Sequence, residues 1–239
     1  MVERNTSRTS RGGLVVFDLD HTLTRHDTYI AFLLSVLRAR PSRLIRCGEL
    51  GFGFAVHKLG LRDNTWLKIQ FLRTICGGCD RRFIEKLAAR FAEEVVPHKI
   101  RPGALRSIRL HQSRGDQIVL ATASPDIYVE AIAQRLGIAA GDVLATRVEW
   151  RDDRLTGRLN SPNLYGQAKA DAVAAWMRHA GRDALDIAYS DHHSDLPLLR
   201  SAVRGVAVNP TVRLRSAASN YRLEVVQWNL GGEAYVDNE

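Results

Sequence analysis

The sequence predicts an α/β protein with a Rossmann-like parallel sheet core and an all-helical segment inserted after the first strand. Two observations carry that expectation. Short apolar runs rich in β-branched residues alternate with helical stretches, the pattern of a parallel sheet covered on both faces. From about residue 25 to residue 99 the alternation stops and the pattern stays helical, as in an inserted domain. The expected division is a basic tail over residues 1–12, an α/β core over 13–24 and 100–239, and a helical cap over 25–99.

Each element has its own signal. Leu14 to Phe17 is a short apolar run ending at Asp18 and reads as a buried parallel strand. From Tyr29 to about Val96 the pattern is helical, broken at Pro41, Gly48, Gly60 and Gly77-Gly78. Asp80 is placed to cap a helix over Phe83 to Val95, which Pro97 follows. Pro102 opens a helix through His111 that Gly115 closes. Gln117 to Thr122 is a second strand, and Pro125 to Leu136 a helix ending at Gly137. Val143 to Trp150 and Leu155 to Leu159 read as a β-hairpin around Asp152-Asp153. Gln167 to His179 is helical, while Asp186 to Ser190 and Arg204 to Val208 are strands.

Composition narrows the function classes. The 239 residues are 45% hydrophobic and 25% charged, which excludes a disordered or low-complexity chain. Three cysteines, Cys47, Cys76 and Cys79, make no disulfide framework and fit a reducing compartment. The first dozen residues lack the apolar run of a secretory signal, and no apolar stretch approaches the roughly 20 residues of a membrane span. A cytoplasmic location is expected. The net charge is +8, and the 25–99 segment holds 14 Lys+Arg against 7 Asp+Glu, so nearly all the surplus lies there. A positive lid raises the local concentration of anionic ligands. No aromatic platform of the kind that stacks bases is interleaved with these charges, so nucleic acid is not an expected partner.

Four carboxylates stand where strands end. Asp18 and Asp20 follow the first strand, and Asp191 and Asp195 follow the Asp186–Ser190 strand. Ligands of open parallel sheets bind at those ends. Gathered there, the carboxylates would repel one another unless a cation neutralised them, and hard oxygen ligands suit Mg²⁺. Thr122 ends the second strand and Lys169 begins a helix. A hydroxyl and an ammonium beside a metal suit a phosphoryl group, whose transfer depends on positioning and charge neutralisation.

This ordered set resembles the haloacid dehalogenase superfamily, in its phosphoserine-phosphatase-like branch with a helical cap. The matching pieces are Asp18-Leu-Asp20-His-Thr-Leu-Thr24, Ala121-Thr122-Ala-Ser124-Pro125, Gly166-Gln-Ala-Lys169 and Ser190-Asp191-His-His-Ser-Asp195. Val208-Asn-Pro210 fits the family's next strand. The resemblance implies a Mg²⁺-dependent phosphatase acting on an anionic phosphomonoester, small or lipid-linked. Asp18 would be the nucleophile that forms an aspartyl-phosphate. Asp20 would protonate the leaving oxygen and later activate water. Asp18, the backbone carbonyl of Asp20, and Asp191 would hold the metal. Thr122 and Lys169 would grip the phosphoryl oxygens, with Asp195 orienting Lys169 or a metal-bound water.

The chain departs from phosphoserine phosphatases in three places. Ala123-Ser124 replaces paired glycines, Asp27 stands where a Glu holds the substrate amine, and Ser194 replaces an Asn. The pattern is also similar to bacterial phosphatidylglycerophosphate phosphatases of the same branch. The basic run Arg38 to Arg46 could accordingly rest on an anionic membrane surface, or belong to a bundle whose apolar faces bury one another. Cys76-Gly-Gly-Cys79 lacks the second pair that a zinc site needs. His192 and His193 read as spacers between Asp191 and Asp195. Two alternatives stay open: a phosphotransferase of the same fold, and a non-catalytic anion- or membrane-binding module.

Overall fold

The computed structural model describes residues 12–47 and 64–229. A six-stranded sheet forms its centre, all parallel. The strands are β1 (Leu14–Phe17), β2 (Gln117–Pro125), β3 (Val143–Thr146), β6 (Ile187–Ser190), β7 (Arg204–Val208) and β8 (Glu224–Val226), in the order β3-β2-β1-β6-β7-β8. An antiparallel hairpin of β4 (Val148–Arg151) and β5 (Arg154–Leu159) stands apart from it. The strand order reverses at β1, so the chain ends of β1 and β6 flank a switch point where an open sheet leaves a crevice.

Side-chain alternation along β1 divides the interior. Leu14 and Val16 face a core shared with α6 (Gln167–Ala180), α7 (Leu196–Ser201) and α8 (Val212–Ala218), including Val173, Leu198 and Leu214. Val15 and Phe17 face the opposite side, with α4 (Pro102–Ser113) and α5 (Asp126–Arg135). There Phe17 stacks on Tyr189 at 4.6 Å, and Trp228 closes over both. Because every β1 residue is buried, the strand reads as a continuous apolar run rather than an alternating one.

The helices of the 25–99 segment join this second core. They are α1 (Thr28–Ala39), α2 (Asn64–Phe71) and α3 (Arg81–Lys99). Phe32 of α1 stacks on Tyr128 of α5 at 4.7 Å, and Phe91 of α3 meets both rings edge-on. Asp27 and Asp80 cap α1 and α3, each carboxylate accepting the N–H three residues on. The segment leaves and rejoins the core at an isolated antiparallel bridge between Thr24 and Ile100. Arg25 N–H donates to the Lys99 carbonyl at 2.9 Å, and Arg101 N–H donates to the Leu23 carbonyl at 2.8 Å.

Three sequence expectations need correction. Val143 to Trp150 is not one arm of a hairpin: β3 pairs in parallel with β2, and the chain turns at Arg147 before β4 begins. The hairpin packs instead against the insert, where Gly78 N–H donates to the Leu155 carbonyl and Leu155 N–H to the Cys79 carbonyl. Gly157 has φ +79, and a Cβ there would lie 2.4 Å from Arg73 Cα, so only glycine lets the two backbones touch. Helix α3 also runs through Pro97 to Lys99. Proline removes the bond to the carbonyl of Glu93, a residue on the exposed face of the helix. Finally, β8 closes the sheet edge unannounced by any long apolar run.

Cys76 and Cys79 are buried free thiols, and burial pushes the Cys76 thiol up. Of the basic run, Arg40 pairs with Asp80 at 3.2 Å and lies over Phe83, while Arg43 donates to the carbonyls of Ile75 and Gly77. Leu44 and Ile45 beside them are exposed. The apolar run at 50–56 and residues 1–11 of the basic tail lie outside the described residues. Among the described residues no helix is long and apolar enough to cross a membrane.

Candidate active site

The carboxyl ends of β1, β2 and β6 and the first turn of α6 converge on a hollow of about 350 Å³. Asp18, Asp20, Asp27, Thr122, Ser124, Lys169, Asp191 and Asp195, all singled out from the sequence, line it together. A larger groove, about 910 Å³, lies between α3, α5 and the hairpin, but none of these residues reaches it.

The turn after β1 sets the first two carboxylates. Asp18 N–H continues the sheet, donating to the Tyr189 carbonyl at 3.0 Å. Leu19–Leu23 then form a wide turn in which Asp20 and His21 leave helical angles, His21 at φ +61. The buried Arg101 guanidinium holds that turn from outside, donating twice to the His21 carbonyl and once to the Asn229 side chain.

Lys169 ties the hollow together. Its ammonium donates to Asp18 Oδ1 at 2.6 Å and to Asp195 Oδ2 at 2.7 Å. Burial alone would lower this ammonium, but the two carboxylates outweigh it and hold it above its ordinary value. Burial also pushes Asp18 up to about 6, the Lys169 charge offsetting only part of it. Ser190 Oγ is a second donor to Asp195 Oδ2, at 2.7 Å. Asp195 Oδ1 is buried with no partner.

Asp20 has a different setting. Its Oδ2 accepts from Ser124 Oγ at 2.5 Å, and its Oδ1 accepts from both the N–H and the hydroxyl of Thr28, each at 2.6 Å. Burial raises this carboxyl, the Asp27 charge adds to the effect, and these hydrogen bonds work against it. Asp191 exchanges hydrogen bonds with Thr22, whose hydroxyl lies 2.9 Å from Asp191 N and 3.2 Å from its Oδ1. Burial first, then the Asp18 charge, push Asp191 up to about 7.

Five carboxylates line the hollow against two ammonium groups, those of Lys68 and Lys169. The carboxylates of Asp18 and Asp191 line the hollow, and Asp195 Oδ1 is buried without a partner. Among the described residues no group of three or more His, Cys, Asp or Glu side chains is placed to hold a metal ion by itself. Two carboxylates and room for water fit Mg²⁺, which keeps much of its water shell, better than a softer metal.

The remaining expected residues have plainer settings. Thr122 is buried, and its hydroxyl accepts from Ser124 N–H at 3.1 Å. Asp27 is exposed and caps α1 while reaching the rim of the hollow. His192 also reaches the rim, with its Nδ1 2.8 Å from Ser194 Oγ, and burial lowers its ring pKa. Sequence reasoning missed Tyr29, Lys68, Asn163 and Tyr165, which line the side facing the insert. Lys68 is half-buried, and burial pushes its ammonium down to about 8. Nothing in the local sequence of α2 separates Lys68 from an ordinary solvated lysine. Thr22 and Thr28, by contrast, lie within ten residues of Asp18 and could have been read as its neighbours.

The fold and this arrangement define a hydrolase of the haloacid dehalogenase class. The sequence profile of the haloacid dehalogenase-like hydrolases matches residues 15–200, and the chain belongs to that family. It is 33% identical over 218 residues to a putative hydrolase of Mycobacterium leprae, covering 87% of this chain and 70% of that protein. It is 32% identical over 227 residues to phosphoserine phosphatase SerB1 of Mycobacterium tuberculosis, covering 91% and 71%. Among solved structures, a Bordetella pertussis protein of unknown function superposes with a TM-score of 0.77 at 25% identity, covering 91% of this chain and 99% of that one. Within the family the chain falls in the phosphoserine-phosphatase-like branch, and it is a phosphatase.

Proposed function

We propose that this phosphatase hydrolyses a small anionic phosphomonoester with the aid of Mg²⁺, through an aspartyl-phosphate on Asp18. One observation carries the reading: a single buried ammonium, Lys169, is shared by Asp18 and Asp195 in a hollow that Asp20 and Asp191 also line. A carboxylate can attack a phosphate only if their mutual repulsion is removed. Asp18, Asp191 and the Asp20 carbonyl would hold Mg²⁺, which supplies that neutralisation when bound.

The chain's own groups do the rest. An Asp18 carboxylate oxygen forms a bond to phosphorus as the bond from phosphorus to the ester oxygen breaks. Asp20 gives its proton to the departing oxygen, then takes one from the water that attacks the aspartyl-phosphate, which restores both carboxyls. Hydrogen bonds from Ser124 and Thr28 fix the Asp20 carboxyl for both transfers. An ammonium has three donors, and Lys169 spends two on Asp18 and Asp195, leaving one for a phosphoryl oxygen beside the Thr122 hydroxyl. Residues 25–99 act as the cap, whose Tyr29 and Lys68 line the hollow.

The test is hydrolysis of p-nitrophenyl phosphate. Wild type with Mg²⁺ releases p-nitrophenol, Asp18→Asn does not, and EDTA silences the wild type reversibly. Full turnover by Asp18→Asn would remove the nucleophile assignment. A panel of amino-acid, sugar, nucleotide and lipid phosphates then identifies the substrate.

A further inference from the structure

We propose that Lys68, on the inserted helix α2, is a positioning residue: it clamps the Ala123–Ser124 peptide so that Ser124 Oγ stays on Asp20. The inference rests on the reading of Asp20 as the proton-transferring acid.

The clamp is visible at both ends of one peptide group. The Ala123 carbonyl accepts from Lys68 Nζ at 2.7 Å and from Thr146 Oγ1, also at 2.7 Å. The N–H of the same peptide, on Ser124, donates to Thr122 Oγ1 at 3.1 Å. A peptide group is planar, so holding its carbonyl and its N–H fixes the plane and the direction in which Ser124 leaves it. The Ser124 hydroxyl then lies 2.5 Å from Asp20 Oδ2. Strand β2 has a register break between Thr122 and Pro125, so sheet pairing does not hold this stretch by itself.

Lys68 reaches across from the insert. Its second acceptor is Asn163 Oδ1 at 2.9 Å, and Asn163 Nδ2 donates to Thr65 Oγ1 at 3.0 Å, one helical turn before Lys68. The Tyr29 hydroxyl donates to the Lys68 carbonyl at 2.7 Å, fixing α2 to α1. Thr146 Oγ1 has one proton, which goes to Ala123, the nearer of its two acceptors, rather than to Asn163 at 3.3 Å. The Asn163 oxygen therefore depends on Lys68. Seating of the insert and orientation of the acid share one ammonium.

The experiment uses the full chain. Lys68→Met and Lys68→Arg are assayed with p-nitrophenyl phosphate and Mg²⁺, alone and combined with Ser124→Ala. Hydrogen exchange of the peptide covering Ser124 is followed alongside. Expected for Lys68→Met are a kcat about tenfold lower, a KM within twofold, and faster exchange at Ser124. Lys68→Arg recovers most of the rate. In the Ser124→Ala background Lys68→Met costs little more, because both act on one hydrogen bond. A raised KM with unchanged kcat would instead make Lys68 a substrate ligand and overturn the proposal, as would full multiplication of the two effects. If wild type does not hydrolyse the ester, the functional reading fails by itself. The exchange arm still decides the clamp, since unchanged protection at Ser124 sinks it. Should Lys68→Met not fold, Lys68→Gln is read by the same criteria.

Discussion

Removing the Lys169 ammonium should expose how much electrostatic stress the hollow carries. Lys169 is 3% exposed and neutralises two buried carboxylates through bonds of 2.6 and 2.7 Å. Lys169→Met keeps the length of the side chain and deletes only the charge and its donors. Breaking a buried pair from one side costs about 3–5 kcal/mol. The cost has a ceiling, because a stranded carboxyl can take up a proton. At pH 7 that uptake costs about 4 kcal/mol per group with an ordinary carboxylate pKa, and at pH 5 about 1.5 kcal/mol. The folded variant thus keeps protons that its unfolded chain releases, so its deficit relative to wild type grows as pH rises from 4 to 7. The assay is urea denaturation of both proteins in EDTA at pH 5 and pH 7, so that no cation substitutes for the lysine. A loss of about 4 kcal/mol at pH 7, with a melting temperature about 10 °C lower, is expected, shrinking to about 1.5 kcal/mol at pH 5. A loss below about 1 kcal/mol at both pH values would mean that water already screens the four carboxylates, and the argument for a neutralising cation would go with it.

Two further substitutions test the packing around the site. Burial pushes Asp126, at the start of α5, up to about 6, so its charged form is a penalty that is complete above pH 6 and absent below about 4. Asp126→Asn, which can still accept from Val148 N–H, should stabilise the protein at pH 8 by up to about 3 kcal/mol and leave it unchanged at pH 4. Equal melting temperatures at pH 8 would show that the carboxylate is well solvated. Gly157→Ala forces a Cβ onto the Arg73 backbone at a positive φ, and a loss of about 2–4 kcal/mol in urea denaturation is expected. A loss under about 0.5 kcal/mol would mean that β5 is not seated on the insert.

The site was more legible than the scaffold around it. Asp18, Asp20, Asp191 and Asp195 could be read because each lies just past a short apolar strand, and parallel strands all deliver their next few residues to one edge of the sheet. Thr122 and Lys169 follow the same logic, one standing where β2 breaks register, three residues before the strand's end, and the other in a first helical turn. Lys68 could not be found that way. Its partners Ala123 and Asn163 are 55 and 95 residues distant in sequence, and no local pattern encodes a contact of that span. The error over Val143 to Trp150 has a similar cause. The run has strand character throughout, but whether a strand joins the main sheet or a hairpin depends on which edge lies free, here that of β2. Pro97 misled because the helix-breaking rule weighs most in a helix interior, and this proline sits in the last turn, where one carbonyl freed to solvent costs little.

The bridge between Thr24 and Ile100 brings the two junctions of the insert to hydrogen-bonding distance. For the sheet, everything between them is a loop whose ends already touch, so its length places almost no demand on the catalytic edge. A graft from another protein of this class would have to match those two chain ends, the apolar face around Tyr128 and the contacts that Thr28 makes to Asp20 and Lys68 to Ala123. Substrate preference could then be exchanged as a cassette while the chemistry beneath stays in place.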